Sequence, residues 1–445
     1  MTHSPLLESN GDAVVRADDG AFGKACTVLL TEDHFVVNGT ATRLSDVVGA
    51  RVDIDKKGEK SALRVYAYSK GSKSFCRMSR ERRPKHLSIQ LDAEPARAEQ
   101  WAAAINDKIG CSSSRKLLVI VNPVSGTGKG RRVWARTLEP MLDQAKVTYT
   151  VHFTTAAGQA RRLLAEKSAT EGAEPLSSFD GVIVVGGDGT LYEILQGIHD
   201  REDSQEQLLR LSLGTVPAGT GNGLAKTLLV ESGEACTALS ASFLVAKGVA
   251  RKLDLCKAEN VTGSFLSMLH VEYAIVSDVD FESETYRWMG AARFTLCALI
   301  RIIFMRSYPA KLSYQPFVDK SQSADLPPLA DAIPDAWEAV EGDLVLLAIA
   351  QNAWIAEDIN LSPASELDDG VLYIYFIRKP VSPCALLKLF LKLENGKHVD
   401  HHALECRKAR AFRLTPLGEK GMIGVDGERT DYSTIQGEDL SALFR

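Results

Sequence analysis

The chain has 445 residues, 45% hydrophobic and 24% charged, a balance that excludes global disorder and leaves room for about three domains. A formal net charge of −5 gives no general attraction for nucleic acid, so an anionic partner has to be met by a local basic patch. Eight cysteines without a C-x-x-C pair suggest neither a zinc site nor a disulfide framework, and reduced thiols in the cytoplasm are expected.

Met1 to Asp19 carries acids and no apolar core, unlike a secretory signal. No run of about 18 apolar residues follows anywhere, so no membrane-spanning helix is expected. Short alternating segments then read as half-buried antiparallel strands: Cys26–Leu30, His34–Val37, Ala62–Ala67 and His86–Leu91. A helix over Pro95–Lys108 presents Trp101, Ala104 and Ile105 at helical spacing. Strands closed by one Trp-bearing helix resemble a pleckstrin-homology-like module over residues 1–112. Between the strands, Lys70, Lys73, Arg77, Arg80, Arg82, Arg83 and Lys85 form a basic loop against Glu81 alone. It is either solvated surface or a site for anionic lipid head groups or acidic partners, each basic residue near such a surface contributing about 1 kcal/mol.

After Ser112–Ser114 the texture changes to strands alternating with helices, and residues 115–250 read as a doubly wound α/β unit. The strands are Leu117–Val121, Val147–Phe153, Val182–Val185 and Leu211–Val216. The helices are Arg131–Gln144, Ala157–Lys167 and Leu191–Ile198. Leu117–Val121 is continuously apolar, as a strand covered on both faces should be. Residues 251–445 are mainly strand, with apolar helices at Arg293–Ser307 and Cys384–Leu393. Gln315–Asp343, rich in Pro, Asp and Ala, reads as a flexible acidic insertion.

Three glycine turns each follow an apolar strand: Asn122–Gly130, Gly186–Thr190 and Pro217–Gly223. Loops at the carboxyl ends of parallel strands converge on one edge, and glycines there let bare N–H groups approach phosphate oxygens. None of the three spells a Walker A loop or G-x-G-x-x-G, so a nucleotide would be held by another loop set.

Gly186-Gly-Asp-Gly-Thr190 with Glu193, the Asn122-Pro123 loop and Pro217–Asn222 resemble the diacylglycerol kinase catalytic domain, whose superfamily takes in sphingosine, ceramide and bacterial lipid kinases. Val276–Arg287 with Arg293-Phe294, Leu386–Leu391 through Gly396–His398, and Val425–Glu428 are similar to sphingosine kinases in particular. The likeness runs from about Arg115 to the end. It implies a β-sandwich-like, lipid-binding C-terminal domain and ATP-dependent phosphorylation of the primary hydroxyl of a sphingoid base, with Mg2+ accompanying ATP.

Asp188, alone between glycines on a tight turn, is a candidate general base; the resemblance assigns that role, and a helix-capping Asp is the alternative. The resemblance places Asn122, Pro123, Val124, Thr154, Glu193, Gly219, Thr220, Gly221, Arg287, Arg293, Asp426, Gly427 and Glu428 at the nucleotide. Arg287 and Arg293 suit phosphate oxygens or surface ion pairs; Asp426 and Glu428 suit a ribose, a purine edge or the magnesium shell. No metal ligand set is legible. The resemblance gives the lipid side to Gly186, Gly187, Gly189, Ile275, Asp280, Phe294, Leu389, Phe390 and His398. Asp280, two residues from Asp278 after a strand-like run, would meet the substrate ammonium. The two apolar helices are core or the walls of an acyl tunnel, with Trp288, Leu296 and Leu299 as a lip against the bilayer. The expected partners are the lipid substrate and an anionic membrane surface, approached from the cytoplasm; a homodimer is left open. A ceramide or diacylglycerol kinase, or an inactive lipid-binding scaffold, is the competing reading.

Overall fold

The computed structural model describes the chain apart from residues 1–6, 18–21, 55–60, 72–80, 92–94, 111–114, 127, 167–173, 291 and 441–445, and gives residues 7–17, 22–26, 61, 90, 91, 95 and 287 by their backbone alone. Four parallel strands form the central sheet, in the order Ser212–Pro217, Gly181–Gly186, Lys116–Val121, Thr148–Phe153. Their residues alternate between two cores. Leu117, Val119 and Val121 pack with Trp134, Leu138 and Phe243, while Leu118 and Ile120 pack with Leu164, Leu191 and Ile194. Burial on both faces explains the unbroken apolar run.

From Lys116–Val121 the chain moves outward to Thr148–Phe153, then crosses to Gly181–Gly186 on the other side. That reversal opens a crevice at the carboxyl ends of the two central strands, where the first two glycine turns begin.

The helix expected over Arg131–Gln144 forms in three pieces, Gly130–Val133, a wider π turn at Trp134–Leu138, and Glu139–Gln144. Pro140 lacks the N–H that a regular turn would use there.

The second unit is a ten-stranded sheet among the described residues, centred on Tyr308–Pro316, Glu338–Ala350, Leu372–Arg378 and Glu405–Pro416. The acidic insertion is shorter and better anchored than expected. Its ends lie within two of those strands, and Arg413 donates to the carbonyls of Pro327, Pro328 and Asp331. The two apolar helices run over Ala292–Ile303 and Pro383–Phe390, ending earlier than their apolar patterns do.

At the N-terminus, seven antiparallel strands, ordered from Thr40–Arg43 through Leu7–Ala17 and Arg82–Leu91 to Val47–Ile54, are closed by the helix Pro95–Lys108. Trp101 and Ile105 of that helix are buried against Phe35 and Leu63, as their spacing predicts.

The basic loop needs correction. Arg82, Arg83 and Lys85 belong to the strand Arg82–Leu91, and Lys73, Arg77 and Arg80 lie outside the described residues. Arg82 is buried. Its guanidinium meets Glu234 of the α/β unit through two hydrogen bonds of 2.9 and 2.7 Å, reaches Asp46 at 2.9 Å, and stacks 3.5 Å over the Phe243 ring. Lys70 adds a contact to Glu234 at 2.9 Å, and Tyr68 donates to Gln144 at 2.7 Å. Gly49 fits so closely against the end of Glu139–Gln144 that a Cβ there would stand 1.9 Å from the Gln144 carbonyl oxygen.

Removing one member of a buried pair strands the other charge. Arg82→Ala should therefore lower unfolding free energy by about 3–5 kcal/mol in denaturant titrations. Arg64→Ala, which breaks an exposed pair with Asp53, should cost less than about 1 kcal/mol.

Candidate active site

The three glycine turns meet. A Cβ on Gly126 would stand 2.7 Å from the Gly219 carbonyl carbon and 2.9 Å from the Thr220 nitrogen; one on Gly219 would stand 2.5 Å from Gly187 Cα. Gly126 also needs its positive φ of 55°. Asn122 ties the first turn to the second by donating to Thr190 Oγ1 at 3.0 Å, and its own Oδ1 accepts from the Val124 N–H. Val124 stands at the exposed tip of its loop. The Gly186 carbonyl accepts from Ala218 and Gly219, tying the second turn to the third. Pro123 lies against Gly130 in the same close packing.

Asp188 is the first residue of the helix Asp188–His199, yet its carboxylate does not cap that helix. It accepts from the N–H groups of Gly223 at 2.6 Å and Leu224 at 3.4 Å, which begin the helix Gly223–Glu231. Burial pushes the Asp188 carboxyl up to about 6; the two N–H groups and His270 oppose the rise, and Asp426 adds to it. Gly221 is its neighbour, with Asp188 Oδ2 3.5 Å from where a Cβ would be.

The C-terminal domain supplies the opposite wall. Asp280 Oδ2 lies 3.2 Å from the Cβ position of Gly427, and Glu428 Oε1 lies 3.4 Å from that of Gly189. The strand-like run before Asp280 is in fact a helix, Ile275–Ser283, launched from the strand His270–Ala274 by Ala274 at φ 66°. Ala274 and Asp426 (φ 53°) are non-glycine residues with left-handed backbones, and both border this crevice. Burial, followed by repulsion from Glu272, raises the Asp280 carboxyl well above the usual range.

Several expected residues do other work here. Asp426 is not open to a ribose or a metal. Its oxygens accept from Ser267 Oγ and from the N–H groups of Met268, Leu269 and His270, bracing the turn between the strands Gly263–Ser267 and His270–Ala274. Glu193 faces away from the crevice and accepts from Gly158 and Ala160, capping the helix Gln159–Ala165. It thereby holds the loop that begins at Thr154, just past the edge strand, and the Thr154 N–H donates to the Val121 carbonyl of the neighbouring central strand. Arg293 is buried, pairs with Glu284 at 2.7 Å and stacks 4.5 Å over Phe294. The Arg287 side chain is outside the described residues. His398 turns to the Leu361 carbonyl at 2.9 Å, beside Tyr375, rather than joining the other lipid-side residues.

Of the apolar lipid-side residues, Ile275, Leu389 and Phe390 share one cluster, which does not include Phe294. Leu386 and Leu389 are buried with Ile302, Val345 and Ile377, and Ile275 and Phe390 pack against them. Sequence reasoning overlooked His270 and Glu272, both buried at this wall. The signal was there: polar residues at every second position of an otherwise apolar strand, Leu269–Tyr273. It also overlooked Glu357, which accepts from Asn222 at 2.8 Å and joins the third turn to the C-terminal domain.

Residues 116–258 match the diacylglycerol kinase catalytic domain, and residues 270–436 match the YegS C-terminal NAD kinase beta sandwich-like domain. A Bacillus anthracis protein assigned as a diacylglycerol kinase shares the fold, with a TM-score of 0.55 and 21% identity over 74% of this chain and 94% of that one. The two domains and the crevice between them are those of a lipid kinase. Sphingosine kinase 1 of Arabidopsis thaliana is 32% identical over 339 residues, 71% of this chain and 68% of that one. Human sphingosine kinase 1 is 30% identical over 346 residues, 73% and 88% of the two chains, and sphingoid long chain base kinase 4 of Schizosaccharomyces pombe is 27% identical over 341 residues, 72% of each. This chain belongs to the sphingosine kinase family.

Gly219→Ala should push the second and third turns apart, because the added methyl meets backbone rather than a movable side chain. The expected outcome is a rise of about tenfold or more in the KM for ATP together with a lower thermal midpoint, read by steady-state kinetics and calorimetry.

Proposed function

We propose that this chain transfers the γ-phosphoryl group of ATP to the primary hydroxyl of a sphingoid long-chain base, with Asp188 as the general base. One observation carries the reading: Gly126, Asp188 and Gly221 share a crevice whose far wall bears Asp280. Backbone N–H groups of the three turns suit the phosphates, which need donors and no side-chain bulk. Asp280 suits the substrate ammonium, and the cluster of Ile275, Leu386, Leu389 and Phe390 suits the hydrocarbon chain.

The Asp188 carboxylate takes the hydroxyl proton as the oxygen attacks the γ-phosphorus and ADP leaves. A carboxyl near 6 is ionised at neutral pH yet basic enough to help. The Gly223 N–H fixes its orientation. Magnesium would neutralise phosphate charge; Glu428, which faces Gly189 of the second turn, fits that task, whereas Asp426 is fully committed to the Ser267–His270 turn.

No helix among the described residues is long and apolar enough to cross a membrane. We read the protein as cytoplasmic and visiting membranes peripherally. Trp288, Ile303, Phe304 and Leu391 are all more than 60% exposed, on or beside the two packed apolar helices that border the slot. The seven strands and closing helix of the N-terminal module support a pleckstrin-homology-like assignment, with Arg83 and Lys85 as its outward basic residues.

A panel of sphingosine, ceramide and diacylglycerol with radiolabelled ATP tests the reading; preference for either neutral lipid over sphingosine would overturn it. Turnover should fall as pH drops through about 6, because the base must be ionised, and Asp188→Asn should abolish turnover across the range. Burial raises Asp188 above its unfolded value, so its stabilising contribution is full in acid and lost as pH rises through about 6. Asp188→Asn should therefore melt no lower than wild type at neutral pH. Phe304→Asp with Leu391→Asp should reduce sedimentation with anionic vesicles while sparing activity on detergent-dispersed sphingosine. Loss of both would assign these residues to the slot instead.

A further inference from the structure

We propose that Glu272 is a second carboxylate of the lipid head-group site, so that a substrate ammonium is held between Glu272 and Asp280 and lipids with an acylated or missing nitrogen are rejected. The inference rests on the reading of the chain as a sphingoid-base kinase and deepens it.

Strand alternation sends Val271 and Tyr273 into the core of the C-terminal domain. His270 and Glu272 project from the opposite face, to which the following helix returns Asp280. Glu272 is 1% exposed. Directly across the sheet is Gly424, where a Cβ would come within 2.3 Å of Glu272 Oε1, so the absence of a side chain makes room for this carboxylate. Its Oε2 lies 3.4 Å from His270 Nε2, a long contact; no N–H or O–H of the described residues donates to its Oε1, and its other close partner is the Asp280 carboxyl, to which it is hydrogen-bonded. Two buried acids that have mainly each other to bond to are costly, and nothing in strand pairing requires them.

The surroundings are short of cations. Asp280 is the neighbour whose carboxyl Glu272 helps to raise, and Asp426 acts on the same His270. Arg293, the other cation near Asp280, is paired with Glu284. A primary ammonium brings one positive charge and three N–H donors, enough to serve both acids at once. An amide nitrogen brings one donor and no charge, and a glycerol head brings no nitrogen. Either would leave the second carboxylate buried and unmatched, which is a strong basis for rejection.

The test uses the purified full chain with sphingosine, N-acetylsphingosine and ATP. Glu272→Gln should raise the KM for sphingosine about tenfold or more and leave the KM for ATP unchanged. The kcat/KM preference for sphingosine over N-acetylsphingosine should fall by a similar factor. The melting temperature should hold or rise, since an unmatched buried charge has been removed. A lower melting temperature with the preference intact would make Glu272 a brace for His270 and overturn the proposal. If the Gln variant does not fold, Glu272→Asp is read instead: a reduced preference supports the proposal and an unchanged one overturns it. Wild-type protein inactive on sphingosine would defeat the underlying reading, whereas an active wild type with an indifferent Glu272→Gln would defeat this inference alone.

Discussion

Gly187 and Gly219 approach so closely that a methyl group on Gly219 would stand 2.5 Å from the Cα of the other, and Gly126 rests against the same peptide. Without that contact the three strand-end loops would be held apart by side chains, and their N–H groups would not line one edge. The contact also fixes Asp188, because the third turn leads directly into the two N–H groups that its carboxylate accepts from. The position of the central acid thus follows from missing side chains elsewhere, while its charge state is set by burial.

The opposite wall is organised by charge. Asp188, Asp280, Glu272 and Asp426 are gathered with His270 as their shared basic neighbour. Asp426 is satisfied by four donors and serves as scaffold. Asp188 is partly satisfied and pushed toward neutrality. Glu272 and Asp280 are the least satisfied, and they flank the side from which a lipid head would come. Natural folds seldom bury acids that nothing neutralises, and such groups concentrate where a ligand completes them.

Much of this was legible beforehand, for physical reasons that differ by element. The parallel strands announced themselves because both faces are buried, and the three turns because glycine has few other uses behind apolar strands. The helix Pro95–Lys108 was readable to its ends from its apolar spacing. What failed was long-range pairing. Nothing local in Arg82 separates a solvated arginine from one locked to Glu234, 152 residues away. Glu193 and Asp426 belong to recognisable motifs, but whether an acid in a motif faces a ligand or a backbone turn depends on segments distant in sequence. Asp280 sits on a helix although its neighbours favour strand, since the turn at Ala274 redirects the chain.

The helix Gly223–Glu231 begins at the N–H groups that hold Asp188 and ends three residues before Glu234, the acid clasped by Arg82. The N-terminal module is consequently more than an appended passenger. The remainder of the chain, severed at residue 112, would keep Glu234 without its counter-ion and uncover Phe243 and the end of the helix Glu139–Gln144, a recipe for self-association. Any lineage that acquired the module in this form is tied to it, and the two parts are expected to be inherited, and to decay, as one piece.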